Sequence, residues 1–392
     1  MNILTIPYIT GGLSHLIPLY VLQQKYLRSN TDINNQFLVN SNSQNFLLLQ
    51  GIKCVPVNYA FDENLWISND YSKLKQRIIE MEHEAYKIVK PSLIIEDTAF
   101  FTPLIAEKNH LPRISIQRTG NFRSIDKRFR NPKHVHSLQK GGNIDKSESF
   151  SAYTSSTIKD TNQDLSFLQQ YSKPKAKIIP GIPTIECLPE NIENKESYFY
   201  SGPLVVMDRP SKNLSDKLES FLSFNKNKPI VFITTGTIDK TPIEKYTEFF
   251  VKRNYAVITT TNCKINETYS QEIFYNKLLP LHYICSISSL VIHQCGSGMY
   301  HYPIMNRVPS ITIGTQCYDR EDIALRLEEL GVSGHIPHPD DHSEYWNIFI
   351  DMVDRFEKNT LINYEKMDKL RTEINETMAN FKIENVIQYA LA

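Results

Sequence analysis

Short apolar runs alternate with stretches of helical periodicity along this chain, and the alternation happens twice. In the first half, Asn2–Tyr8, Gln36–Val39, Lys53–Val57, Leu93–Asp97 and Pro112–Ile116 read as strands. Helices are predicted between them at His15–Leu27, Gln44–Leu49, Tyr71–Val89 and Phe101–Glu107. Two further strands, Lys177–Pro183 and Tyr198–Pro203, run into Pro/Gly breaks, with a short helix Asp164–Tyr171 before them. The pattern restarts beyond a linker near residues 204–212, where Asp208, Pro210 and Lys212 interrupt regular structure. Predicted there are strands Pro229–Thr235, Tyr255–Thr260, Leu290–Ile292 and Ser310–Gly314. Helices fall at Ser215–Leu222, Ile243–Arg253 and Glu321–Leu330, followed by three amphipathic helices from Ser343 to Tyr389. Apolar runs bounded by turns and spaced by helices predict doubly wound α/β structure, and their restart predicts two domains.

One stretch concentrates chemistry. Leu290-Val291-Ile292 leads into His293-Gln294-Cys295-Gly296-Ser297-Gly298, whose small residues let the backbone turn sharply and approach a ligand. Met299–Met305 then reads as a helix, closed by Arg307-Val308-Pro309. Strand, small-residue loop and helix aim backbone N–H groups and a positive dipole end at one point, which suits a phosphate. A tight turn with no ligand has the same sequence appearance. The next strand ends at Thr315, Gln316, Tyr318, Asp319 and Arg320. Ligands bind beyond the carboxyl ends of strands in open α/β sheets. Two such ends, one phosphate-like and one rich in hydrogen-bonding groups, describe a nucleotide-sugar site better than a plain nucleotide site.

In the first half, His15 opens a helix on the first strand-to-helix loop, with Ser14 as its cap and Pro18 in its first turn. An imidazole there is either a surface histidine or a base poised near its working pH. Asp97 ends the Leu93 strand, and Glu96 before it faces the opposite side.

Composition narrows the partners. Lys+Arg and Asp+Glu are 43 each, so net charge gives no argument for nucleic acid. The exception is the basic, unpatterned stretch from Arg118 to Lys146, either a solvated insertion or an acceptor-side loop attracting an anionic group. Its Phe122, Phe129, His134 and His136 lack the stacking pattern of nucleic-acid binding. The six cysteines have no metal-ligand spacing and read as free thiols of a reducing compartment. With no signal-like start and no membrane-spanning run, the expected location is cytoplasmic.

Residues 293–309 resemble, without gaps, the donor-site signature HHGGAGTTHEALAAGVP of family 1 glycosyltransferases, and Asp319–Ala324 resembles the DQxxNA segment after it. Lys177–Pro183 is similar to the family's IPSIPE-type segment, and Tyr198–Pro203 to its YVGP-type segment. The resemblance implies the glycosyltransferase-B fold: α/β, with two Rossmann-like domains facing across a cleft. Residues 1–205 would form the acceptor domain and 206–375 the nucleotide-sugar domain, with a terminal helix at 376–392 crossing back to the first. The implied activity is inverting, metal-independent transfer of a sugar from UDP or TDP to a hydroxyl of a small aromatic or polyketide-like acceptor, as in natural-product and antibiotic biosynthesis. No cofactor is implied beyond the nucleotide-sugar co-substrate, nor any nucleic acid or integral membrane association, and oligomeric state is left open.

His15-x-x-Pro18 resembles the catalytic GHxxP, with Ser14 for the usual glycine, and Asp97 matches the aspartate that orients the histidine. Gly296, Ser297 and Gly298, with the Thr237 hydroxyl and N–H, would hold the leaving diphosphate. Gly236-Thr237 is also readable as an ordinary turn. Leu279 and Leu281 stand in the base-binding W-x-P-Q turn, where only their backbone groups could pair with a pyrimidine edge. His293, Gln294, Tyr302, Asp319 and Arg320 complete the expected donor contacts, and Gly12, Phe100 and Phe122 the acceptor contacts.

Departures from the family pattern cluster at the donor site. The diphosphate-binding histidine falls on Gln294, the ribose-binding glutamate on Tyr302, the sugar-contacting glutamine on Arg320, and a turn glycine on Arg307. A glutamine donates a neutral hydrogen bond and carries no charge. Three other readings therefore stand beside transfer: a nucleotide-sugar 2-epimerase-like isomerase, a catalytically degenerate nucleotide-sugar-binding partner protein, and a membrane-surface glycolipid synthase.

Overall fold

A computed structural model of the chain describes residues 1–9, 13–68, 70–97, 99, 102–120, 174–188, 192, 194–235, 243–262, 269–315, 318–340 and 342–392. They form two units. The chain divides between Leu204 and Val205, and residues from Thr377 onward belong with the first unit.

Each unit is built on a six-stranded sheet. The first contains β1 (Asn2–Ile6), β2 (Asn34–Phe37), β3 (Leu93–Glu96), β4 (Arg113–Ile116), β5 (Ala176–Ile179) and β6 (Tyr198–Tyr200), in the order β2-β1-β3-β4-β5-β6. The second contains β7 (Ile230–Thr234), β8 (Ala256–Thr259), β9 (Ile273–Tyr275), β10 (Leu290–His293), β11 (Ser310–Ile313) and β12 (Gly334–Ile336), in the order β12-β11-β10-β7-β8-β9. Every neighbouring pair is parallel. Strand order reverses between β1 and β3 in one sheet and between β7 and β10 in the other. At such switch points a crevice opens beyond the carboxyl ends, where doubly wound sheets bind ligands.

Burial on both faces explains the apolar runs. Val231 and Ile233 of β7 point into one core with Phe250 and Phe349, while Phe232 between them points into the other with Phe221 and Ile258. In the first unit, helix Tyr71–Val89 lays Leu74, Ile78, Ala85 and Val89 along one stripe against Leu4, Ile6 and Ile94. Removing such a buried leucine side chain costs about 2–5 kcal/mol. The helix is started by the Asp70 side chain on the Lys73 amide and ended by Lys90 in the left-handed region.

Several expectations are corrected. Lys53–Val57 makes a single bridge, Cys54 with Phe37, instead of a strand. Phe37 N donates to Lys53 O and Val55 N to Phe37 O, each at 2.9 Å, but the next amide in step, Val57 N, turns back to Val55 O at 2.8 Å and the ladder stops. The first helix starts at Leu13, so Ser14 lies inside it, and Gln23–Leu27 is a wider π turn. Among the described residues, β9, β12 and helices Glu63–Ile67 and Leu281–Ile287 were not foreseen, being too short for periodicity to register. The predicted helix Asp164–Tyr171 lies outside the described residues, as does the basic stretch beyond residue 120. Among the described residues no helix is long and apolar enough to cross a membrane. Cys54, Cys187, Cys285 and Cys295 are free thiols.

Candidate active site

At the β1/β3 switch point the chain leaving β1 enters helix Leu13–Leu22 with His15 in its first turn, and β3 hands over to Asp97. The amide of Asp97 continues the ladder by donating to Ile6 O at 3.1 Å, which fixes its backbone beside β1. His15 Nδ1 then lies 2.7 Å from Asp97 Oδ1. Asp97 is fully buried, whereas the His15 side chain remains 22% exposed. The Tyr8 ring packs against the imidazole with centroids 5.0 Å apart.

Sequence reasoning missed the third member of this cluster. Arg118, two residues past β4, belongs to the carboxyl edge and is buried there. Its Nη1 donates to Asp97 Oδ1 at 2.8 Å and its Nη2 to Oδ2 at 2.9 Å. Nη2 also reaches Ser14 O at 2.9 Å. Burial on its own would raise the Asp97 pKa. The Arg118 charge, His15 and the hydrogen bonds outweigh it and bring Asp97 down to about 2. An ionised Asp97 only accepts, so a neutral His15 carries its proton on Nδ1 and leaves the Nε2 lone pair free. Neighbouring Glu96 belongs to a different pair, its Oε1 accepting from Arg113 Nη1 at 2.7 Å. The only sequence signal for Arg118 was a cation just past a predicted strand, absorbed into the basic stretch.

Beside Tyr8, a hollow of about 30 Å³ opens between the carboxyl ends of β1 and β2. Its wall includes Leu13, Leu16 and Val39, with Asn40 and Ser43 as polar groups. It has room for a water or two.

In the second unit, β10 ends in His293, paired across the switch point with Thr234 of β7. The imidazole is fully buried, and burial pushes its pKa down to about 3, so it is neutral. The Cys295 amide donates to His293 Nδ1 at 3.0 Å, which puts the imidazole proton on Nε2. Cys295, not a glycine, takes the left-handed conformation here, at φ 52°. The next turn closes with Met299 N donating to Gly296 O at 2.8 Å. Among the described residues the amides of Ser297 and Gly298 find no acceptor, which suits an anion beside the loop. The helix expected from Met299 begins at His301.

Gln294 and Arg320, from the ends of consecutive strands, come together: Arg320 Nη1 lies 3.4 Å from Gln294 Oε1. Arg307 explains its own departure from glycine. It caps helix His301–Asn306 at φ 59°, and its side chain docks on Asp368 at 2.8 Å and over the Tyr364 ring. Tyr302 is a core residue whose hydroxyl donates to Val206 O at 3.0 Å, so its side chain ties down the backbone at 206. Leu281 opens helix Leu281–Ile287, and the side chains of Leu279 and Leu281 both pack against the core of the second unit. Glu321, also unforeseen, accepts from the Thr315 amide at 2.5 Å and pairs with His335 at 3.1 Å. Thr237, Gly12, Phe100 and Phe122 lie outside the described residues, as does the side chain of Asp319. Among the described residues no group of three or more His, Cys, Asp or Glu gathers as a metal site.

No protein-family model matches the chain, and no curated protein matches it either. Solved structures do. The glycotransferase of kitacinnamycin superposes with a TM-score of 0.71 at 11% identity, covering 100% of this chain and 98% of that one. The spinosyn rhamnosyltransferase complexed with thymidine diphosphate gives 0.65 at 12%, covering 99% and 100%. A Medicago truncatula protein complexed with UDP-glucose gives 0.71 at 12%, covering 99% and 98%. At this identity the likeness is one of fold, and it extends over the whole chain: two Rossmann-like parallel-sheet units make this a glycosyltransferase-B fold.

Proposed function

We propose that this protein is an inverting, metal-independent glycosyltransferase that moves a sugar from a UDP- or TDP-sugar to a hydroxyl of a small aromatic or polyketide-like acceptor. The observation that carries the reading is the 2.7 Å contact of His15 Nδ1 with buried Asp97 at the switch point of the first sheet. It leaves Nε2 as a base with its counter-charge already in place. Nε2 takes the acceptor's hydroxyl proton while that oxygen bonds to the anomeric carbon. On the opposite face the bond from that carbon to the diphosphate oxygen breaks, and its electron pair leaves with the nucleoside diphosphate. Displacement from opposite faces inverts the anomeric centre.

The departing charge is met by the amides of Ser297 and Gly298, by Arg320, and by Thr237 as the resemblance implies. Arg320 supplies the positive charge that Gln294 lacks, and Gln294 orients it. Backbone groups of Leu279 and Leu281 take the pyrimidine. Support for the nucleotide comes from fold relatives holding thymidine diphosphate and UDP-glucose.

The test is calorimetry with UDP-, TDP- and GDP-sugars, followed by product analysis against aromatic and polyketide acceptors. Binding of a UDP- or TDP-sugar with acceptor-dependent release of nucleoside diphosphate is expected. Conversion of the sugar nucleotide without any acceptor would mean isomerisation instead, and binding without turnover would mean a partner protein.

A further inference from the structure

A helical carbonyl ordinarily accepts from the N–H four residues on. For Ser14 that residue is Pro18, which has no N–H. Arg118 Nη2 takes the vacant place, 2.9 Å from Ser14 O. The same guanidinium forks onto both oxygens of Asp97, at 2.8 and 2.9 Å. His15, next to Ser14, brings Nδ1 to 2.7 Å from the oxygen that Arg118 Nη1 also holds. One rigid planar group thus ties the carboxylate to the helical turn that carries the imidazole.

We infer that Arg118 is a positioning residue for the proposed transfer, holding Asp97 in the one rotation that receives the His15 Nδ1 proton and so fixing the tautomer that exposes Nε2. The inference deepens the glycosyltransferase reading and rests on it for its kinetic consequences. Pro18 gains a role in the same circuit, because an N–H at that position would compete for the Ser14 carbonyl. Around the cluster, Glu96 is engaged by Arg113 at 2.7 Å, the Tyr8 ring packs at a tilt against His15, and Glu186 accepts from the Thr119 amide at 2.9 Å. Arg118 bonds directly to Asp97 from β4's end, as His15 does from the helix.

The first readout needs no substrate. Imidazole ¹⁵N shifts of His15 in the free protein should report the Nδ1–H tautomer in the wild type and a mixture with Nε2–H in Arg118→Met. Arg118→Lys keeps the charge without the fork and should lie between them. It carries the same test if Arg118→Met does not fold. The second readout is kinetic: turnover in Arg118→Met should fall by about tenfold or more, up to the about 10²–10⁴-fold that base catalysis is worth, with both KM values unchanged. Added guanidinium should restore part of the turnover of Arg118→Ala. An unchanged Nδ1–H tautomer in folded Arg118→Met would overturn the inference, as would turnover lost only in proportion to folded protein. A tautomer shift in a protein whose wild type transfers no sugar would sink the glycosyltransferase reading and leave the positioning role standing.

Discussion

The amide of Cys295 donates to Nδ1 of His293 across 3.0 Å, and the turn that makes this bond holds Cys295 at φ 52°. The left-handed region disfavours any residue with a Cβ, and a β-branched one most. The loop that leads to Gly296 and Gly298 therefore begins with backbone strain carried by a buried cysteine.

Replacing Cys295 separates that strain from packing. Valine is nearer to cysteine in volume and apolarity, but Cys295→Val should destabilise by about 1–3 kcal/mol. Cys295→Gly should lose less despite the cavity it leaves, because glycine adopts this conformation freely. Urea unfolding of the two variants checks the order, and a more stable valine variant would remove the strain argument.

Glu82 makes stability depend on pH. The hydroxyls of Tyr59 and Thr102 donate to its Oε1 at 2.7 and 2.8 Å, while Oε2 has no partner among the described residues. Burial pushes the carboxyl up from 4.5 to about 7, against those two bonds. Between these values the folded state binds more protons than the unfolded one, so stability should fall as pH rises through that window. Glu82→Gln cannot titrate. Its urea midpoint should change less than the wild type's between pH 5 and 8, and equal slopes would contradict this.

Arg320 offers a charge where the family pattern has a neutral residue. Arg320→Ala should weaken UDP and TDP binding by about tenfold or more, the loss of one charge-assisted contact. Unchanged affinity in calorimetry would remove Arg320 from the donor site.

Among the described residues, a methyl group at Gly296 would meet no atom within 4 Å apart from its chain neighbours. Gly296→Ala should therefore keep its stability to within about 0.5 kcal/mol. If a diphosphate lies against this loop, the same methyl should weaken UDP binding. Wild-type affinity would mean that nothing approaches the backbone there.

How much could be read in advance depended on how local each signal was. The turn from Leu290 to Gly298 was legible because a fully apolar run meets small residues within a few positions. Asp97 could be placed at a strand end, since Leu93–Ile95 is unbroken and apolar. Arg118 could not, because its partner is 21 positions earlier on a neighbouring strand and only the sheet order brings them together. Pro18 looked tolerable as a first-turn residue. The helix starts earlier than expected, and a distant arginine satisfies the carbonyl that Pro18 leaves open. Tyr302 was assigned to a ligand by alignment with a glutamate, whereas its ring fills the core and its hydroxyl finds Val206.

In the proposed transfer, His15, oriented by Asp97, is the base. The measurement that bears on it most directly is turnover per folded molecule of His15→Ala, taken with UDP or TDP affinity and the unfolding midpoint on one preparation. The predicted result is a loss of about 10²–10⁴-fold in turnover on an alkyl hydroxyl acceptor, with nucleotide affinity unchanged. The loss should shrink for a phenolic acceptor as pH approaches its ionisation near about 10. A folded His15→Ala that binds nucleotide and turns over at the wild-type rate would contradict the claim.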